Sequence, residues 1–291
     1  MQDLARLIDV VRCPACLGRL MVRDLPWKEI PGDYRSLTPE QVKCEPYLPP
    51  NFTGSVSCVE CEMSYPVADG VPELLTADVE NPQDDRWMQE YEELAASYDR
   101  SLALMMRWLG LDAAESERQL IRRLELKPGM RVLEVSVGTG RNLPGLCEAV
   151  GPDGYVVGLD LSPAMLRHAA GKLGELRTPV DLVRGNAAAL PFASGEFDMV
   201  FHVGGINTFG RKGRALCEMV RVARPGGKIL VLDEGIPEGE RDDDWYRRIA
   251  RQNTLYLERP PVDLVPFSDI VDFRLSWVLR RLFYVMEFRK R

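Results

Sequence analysis

The chain has 291 residues, long for one domain and comfortable for a large domain joined to a small one. Its 45% apolar and 28% charged residues suit an ordinary globular protein, and its net charge of −7 gives no electrostatic pull toward nucleic acid or anionic lipid. Met1 to Asp9 lacks a basic start before an apolar core, and no uninterrupted apolar run approaches the roughly 18 residues of a membrane span, so a cytoplasmic protein is expected.

In chain order the first signal is a pair of knuckles, Cys13-Pro-Ala-Cys16-Leu-Gly18 and Cys58-Val-Glu-Cys61. Each such turn aims two thiolates at one cation, and four cysteines close a tetrahedral site of the structural zinc type. An odd total of seven cysteines with this pairing favours metal ligation in a reducing compartment over a disulfide framework. The 41 residues between the pairs hold six prolines from Pro26 to Pro50, which mark an irregular insertion; Cys44 within it is read as spare. The knuckles and the following Tyr65-Pro-Val-Ala-Asp-Gly-Val-Pro72 resemble the zinc-ribbon activator subunit of RNA and protein methyltransferases. Residues 1–75 form the expected ribbon domain, with seven Lys/Arg against eleven Asp/Glu, where an RNA-gripping ribbon should be basic. Packing on the second domain, or shaping its entrance, is the expected role.

Residues 76–291 form the expected second domain. Thr76 to Asp85 is polar and reads as a linker. Arg86 to Gly110 carries apolar residues at helical spacing, and a further helix is expected over Ala113 to Leu124. Strands are expected at 131–135, 155–159, 180–184, 199–202 and 228–232, alternating with helices as in a parallel α/β sheet. Two β-rich runs, 273–279 and 282–289, come last. Between them and the fifth strand, Gly235 to Ile270 is long enough to be expected to build a substrate cavity.

The most informative stretch is Arg131-Val-Leu-Glu-Val-Ser-Val-Gly-Thr-Gly140, answered by Val156-Val-Gly-Leu-Asp160. It reads as strand, glycine turn, helix, and a second strand ending in an acid, the nucleotide-binding end of a doubly wound sheet. Leu143 stands where a dinucleotide fingerprint needs a small residue, so NAD or FAD fits poorly. Glu134 before the turn is unwelcome beside a pyrophosphate but comfortable beside an ammonium and a sulfonium.

This pattern resembles the Glu/Asp-x-Gly-x-Gly-x-Gly motif of class I S-adenosylmethionine (SAM) methyltransferases, with Ser136 in place of the first glycine, tolerable if its φ is negative. The resemblance implies a Rossmann-like, seven-stranded α/β methyltransferase sheet behind the zinc ribbon. It implies that Glu134, Ser136, Gly138 and Gly140 meet the methionine end of SAM and that Asp160 takes the ribose hydroxyls. Leu161 and Met165 would flank the adenine. In Arg184-Gly-Asn-Ala-Ala-Ala-Leu-Pro-Phe192, Asn186 replaces the family's adenine-binding aspartate, with Ala187 beside it. Tyr91-Glu-Glu-Leu-Ala-Ala-Ser-Tyr-Asp99 resembles the family's lid, with Tyr98 as its contact; a core-packed amphipathic helix is the alternative. His202, at the expected end of strand four, is the candidate base, or else braces the SAM pocket. Asn207 would orient a substrate hydroxyl or stabilise its loop. The chain is thus expected to methylate a small apolar or amphipathic acceptor, quinone- or phenol-like, as the ubiquinone/menaquinone-type enzymes do. The alternatives are an rRNA guanine methyltransferase and a non-catalytic SAM-binding scaffold. The oligomeric state is not legible.

Overall fold

The computed structural model describes residues 3–23 and 52–291; the proline-rich stretch with Cys44 lies outside them. Helix α1 (Leu4–Val10) starts at Asp3, whose carboxylate accepts from the Ala5 and Arg6 amides. Four short antiparallel strands follow: β1 (Leu20–Arg23), β2 (Gly54–Cys58), β3 (Ser64–Ala68) and β4 (Val71–Leu74). Asp69-Gly70 closes the last hairpin with φ of 51° and 79°, the positive values that a two-residue turn between twisted strands requires.

The remaining strands are β5 (Arg131–Val135), β6 (Tyr155–Asp160), β7 (Val180–Gly185), β8 (Phe197–Val203), β9 (Ala223–Glu234), β10 (Ile270–Val278) and β11 (Phe283–Lys290). They lie in the order β7-β6-β5-β8-β9-β11-β10, parallel except for β11, which runs antiparallel to both neighbours. This is the order and sense expected of a Rossmann-like seven-stranded sheet. Alternate residues feed opposite faces: Leu133, Val157, Val200 and Val231 enter one apolar cluster, and Val132, Val156, Phe201 and Leu230 the other. With helices over both faces, the central strands can be apolar throughout.

The ribbon is joined to this sheet rather than tethered beside it. β4 pairs parallel with β7, Glu73 opposite Arg184 and Leu74 opposite Gly185, so the order runs on as one sheet of 11 strands. Val11 bridges Phe192, and Leu4, Leu7, Phe52, Val56 and Tyr65 share a core with Leu159, Val183 and Phe192. Arg6 adds a bidentate pair with Asp181 at 2.9 Å on each arm, and Tyr155 donates to the same carboxylate at 2.7 Å. Asp181 is fully buried, so these donors are what make its burial tolerable.

The expected linker and long helix are rearranged. Helix α2 (Pro82–Leu94) begins inside the expected linker, because Asn81 caps it through the Asp84 amide and Pro82 occupies its first turn. A tight turn at Ala95–Ser97 then separates it from α3 (Tyr98–Trp108), where one continuous helix was expected. Next come α4 (Ala113–Leu124), α5 (Leu143–Val150), α6 (Pro163–Ala170), α7 (Lys212–Val222) and α8 (Asp244–Gln252). Among the described residues, no helix is long and apolar enough to cross a membrane.

Candidate active site

The chain runs outward from β5 through β6 to β7, then returns to the other side of β5 as β8 and β9. A cleft opens at the carboxyl ends of the strands around this switch point, where an α/β sheet leaves room for a ligand. Glu134, Ser136, Gly138, Asp160, Leu161, Met165, Asn186, Ala187 and Tyr98 all line it; Gly140 and His202 do not.

The turn after β5 holds Ser136, Gly138 and Gly140 at φ of 59°, 55° and 72°. The condition set on Ser136, a negative φ, is not met. The serine adopts the left-handed conformation that a glycine would take freely, at a cost of roughly 1–2 kcal/mol. Gly140 is held by space as well: a Cβ there would come within 2.7 Å of Leu143 Cδ1 and 3.0 Å of Ala169 Cβ. Its part is to let α5 and α6 pack, rather than to face the cleft.

Glu134 is 1% exposed. Asn142 Nδ2 donates to its Oε1 at 2.6 Å, while Oε2 is buried with no partner among the described residues. Burial pushes this carboxyl up to about 8, with the Asp160 and Glu117 charges adding to the effect and the Asn142 bond opposing it. A sealed carboxylate oxygen without a donor is costly unless a ligand brings one. Asp160 closes β6 with both oxygens fixed, Oδ2 by the Gly138 amide at 2.8 Å and Oδ1 by the Ser162 amide at 2.9 Å. Burial pushes it up to about 6 despite these amides. Ser162 then caps α6 through the Met165 amide at 3.1 Å, which fixes Leu161 and Met165 beside the acid.

Past β7, Asn186 is turned toward the protein. Its Oδ1 accepts from the Ala188 amide at 2.8 Å, and its Nδ2 donates to Asp84 Oδ2 at 2.9 Å. Asp84 also accepts from Asn81 Nδ2 and from the Gly210 amide, and it lines the cleft. The acid at this end is therefore Asp84, which the sequence reading placed in a linker. The local signal for its helix was Asn81-Pro82; its partner 102 residues away left none.

Helix α2 lies across the opening. Glu92 Oε1 accepts from Ser162 Oγ at 2.6 Å and from the Ala164 amide at 2.7 Å. Tyr91 and Tyr98 meet edge to face, with centroids 6.1 Å apart, and pack on Ala164 and Met165. Tyr98 lines the cleft as expected.

His202 is placed otherwise. It is 0% exposed, behind a wall made by Val203, Gly204 and Gly205. Its Nδ1 is 2.9 Å from the Val135 carbonyl, so Nδ1 carries the proton and Nε2 is left as a buried acceptor. Burial lowers its pKa further. As it stands, His202 braces β5 against β8. Asn207 likewise stabilises its loop, donating to the Glu234 carbonyl at 2.8 Å and accepting from the Tyr284 hydroxyl at 2.9 Å.

The Gly235–Ile270 segment supplies no lining residue, contrary to expectation. Trp245 and Tyr246 pack instead against the core, and Tyr256 is 2% exposed within it. The apolar walls at the β8–β9 side come from Leu102, Met106 and Leu120 of α3 and α4, from Leu232, and from Leu279 and Phe283. Among them stands Glu234, at the end of β9, which the sequence reading did not single out.

Outside the cleft, Cys13, Cys16, Cys58 and Cys61 converge with their Sγ atoms within 4.8 Å of one another. Cys13–Cys61 and Cys16–Cys58 are 3.6 and 3.5 Å apart, close to the edge of about 3.8 Å in a tetrahedron of thiolates around zinc. A Cβ on Gly18 would lie 2.9 Å from Cys58 Sγ and 2.0 Å from Glu60 Oε2, so glycine is what the knuckle can accommodate. Amides of Glu60 and Cys61 face Cys58 Sγ at 3.4 and 3.5 Å. All-sulfur donors with no open position match a structural site.

Residues 132–227 match the methyltransferase domain family. The demethylmenaquinone methyltransferase of Bacillus cereus is 39% identical over 121 residues, 41% of this chain and 51% of that protein. The same enzyme of Anoxybacillus flavithermus is 32% identical over 165 residues, 55% of this chain and 66% of that protein. The chain thus spans about half to two thirds of the length of these curated relatives. Two solved structures share the fold. One is a chain of the complex that contains the Haloferax volcanii Trm112 methyltransferase activator, with a TM-score of 0.53 at 16% identity, covering 69% of this chain and 97% of that one. The other is Haemonchus contortus phosphoethanolamine N-methyltransferase 2 with S-adenosyl-L-methionine, with a TM-score of 0.56 at 16% identity, covering 78% and 62%.

Proposed function

We propose that this chain, which belongs to the class I SAM-dependent methyltransferases, transfers a methyl group from SAM to a small apolar or amphipathic acceptor. One observation carries the reading: the sealed Oε2 of Glu134, a carboxylate oxygen with no donor among the described residues, beside the left-handed turn and the fixed carboxylate of Asp160. An ammonium at Glu134 and a pair of hydroxyls at Asp160 would complete both acids. SAM supplies the electrophilic methyl; the protein's work is to hold the two partners in line and keep water out. Glu134, Ser136 and Gly138 would hold the amino-acid end and Asp160 the ribose. Leu161, Met165, Ala187 and the Asp84–Asn186 pair would enclose the adenine, with Tyr98 closing from above.

The acceptor would lie between the β8–β9 ends and α3, where the walls are apolar. The demethylmenaquinone methyltransferases among the relatives favour a quinol- or phenol-like molecule. Residues 1–75 act in this reading as a zinc-stapled extension of the sheet and residues 76–291 as the catalytic unit. Cys13, Cys16, Cys58 and Cys61 would hold the zinc, which contributes to folding rather than to the reaction. The test is calorimetric titration with S-adenosylhomocysteine, with NAD as control. Micromolar binding of the first and none of the second is expected; no binding of the first would defeat the proposal.

A further inference from the structure

We propose that Glu234 takes the acceptor's proton, and that the acceptor therefore belongs to the O–H acids, a phenol, enol or hydroquinone. The inference rests on the reading above and adds to it a residue and a substrate class. Four other acids line the cleft among the described residues, and each has a donor or a cation, with Oε2 of Glu134 the one oxygen left for the SAM ammonium. Glu134 is held by Asn142 and Asp160 by two amides; Asp84 is held by Asn81, Asn186 and Gly210, and Glu117 lies 3.8 Å from Arg141. Among the described residues the Glu234 carboxylate pairs with no cation; its polar partners are the neighbouring Asp233 carboxyl and its own amide. It is half-buried and opens into the cleft, among Leu102, Met106, Leu232, Leu279 and Phe283.

Its position is built rather than accidental. Leu232 lies opposite Val203 in the β8–β9 ladder, so the end of β9 stands beside the wall formed by Val203, Gly204 and Gly205. The buried Asp233 accepts from the amides of Gly205, Asn207 and Glu234 at 3.2, 2.7 and 2.8 Å, tying the two strand ends together. Asn207 then holds the Glu234 carbonyl and is itself held by Tyr284. A carboxylate on so fixed a backbone keeps its place relative to an acceptor. Its charge is felt by Tyr91 of α2, Tyr98 of α3, Tyr256 after α8 and Tyr284 of β11, with Asp233 beside it on its own strand; the cleft's two arginines, Arg141 and Arg211, form no ion pair with it among the described residues. Burial, the Asp233 charge and the hydrogen bond shared with Asp233 raise Glu234 above its ordinary value, the direction that favours proton uptake.

In the step, the acceptor O–H bond breaks and its proton moves to a Glu234 oxygen. The freed electron pair forms the O–CH3 bond, and the S–CH3 bond of SAM breaks with its pair left on sulfur. The products are the methyl ether, S-adenosylhomocysteine and protonated Glu234, whose proton returns to water as the cleft empties.

The full-length wild type, Glu234→Gln and Glu234→Ala are compared, with 2-naphthol as the acceptor probe and 2-methoxynaphthalene as its already methylated counterpart. S-adenosylhomocysteine affinity should stay within about twofold in both variants, which separates this proposal from the last; if the wild type itself fails to bind it, the SAM reading falls first and this one with it. With turnover of 2-naphthol, kcat should fall about 10²–10³-fold in both variants, within the usual range for a general base. The acidic limb of the wild-type pH profile, where rate rises as Glu234 ionises, should vanish. A kcat within threefold of wild type, or an acidic limb that persists in Glu234→Gln, would overturn the assignment. Without turnover, binding to the S-adenosylhomocysteine complex decides. Preference for 2-naphthol over its ether, lost in Glu234→Ala, supports it; equal binding of both probes overturns it.

Discussion

Glu134→Gln is the perturbation that probes the cofactor reading most directly. In the free protein Glu134 is pushed up to about 8 by burial, so at pH 7 it is mostly protonated. A ligand ammonium needs the carboxylate, and binding must first remove that proton. At one unit below the pKa this costs about 1.4 kcal/mol, a factor of ten in affinity. Wild-type affinity for S-adenosylhomocysteine should therefore rise roughly tenfold from pH 6.5 to 8, and binding should release close to one proton at the acid end of that window. Asp160, pushed up to about 6, adds to the slope only below it. The glutamine variant has no proton to lose, so its affinity should be flat with pH. Above pH 8 it should be weaker than wild type by about 1.5–3 kcal/mol, the worth of one charge-assisted hydrogen bond. Calorimetry in two buffers of different ionisation enthalpy reads affinity and proton count together. A wild-type affinity independent of pH, or a glutamine variant that binds as tightly at pH 8.5, would refute the reasoning.

Ser136→Gly should stabilise the protein by about 0.5–1 kcal/mol in denaturant unfolding, since relief of the left-handed serine exceeds the glycine's greater unfolded-state entropy. Its ligand affinity should not move, and a tenfold loss would mean that the hydroxyl touches the ligand. Asp160→Ala should weaken S-adenosylhomocysteine by roughly 1.5–3 kcal/mol; unchanged affinity would remove Asp160 from the site. Cys13→Ser should lower zinc content by mass spectrometry and depress the melting temperature, as should a chelator on the wild type. Wild-type protein free of metal and equally stable would end the zinc proposal.

What can be read from the sequence here is what depends on neighbours along the chain. Short apolar runs bounded by turn residues placed all five parallel strands and the two closing β-rich runs, and β5 coincides with the stretch expected. The acids of Glu134 and Asp160 were legible because each ends a strand at a fixed distance from a glycine turn. The two Cys-x-x-Cys pairs were legible because the ligands within a knuckle are three residues apart. Tertiary structure decided the rest. Whether His202 faced the cleft or the core depended on how β5 pairs with β8, and the Val135 carbonyl took its Nδ1. Asn186 met Asp84 only because the first turn of α2 reaches the carboxyl end of β7. Glu234 became an acid without a cation partner among apolar walls through α3, α4 and β11, and β4 joined the large sheet through two residues, Glu73 and Leu74. Burial, and with it the chemistry of a carboxylate or an imidazole, is set by groups distant in sequence, and no local pattern encodes those.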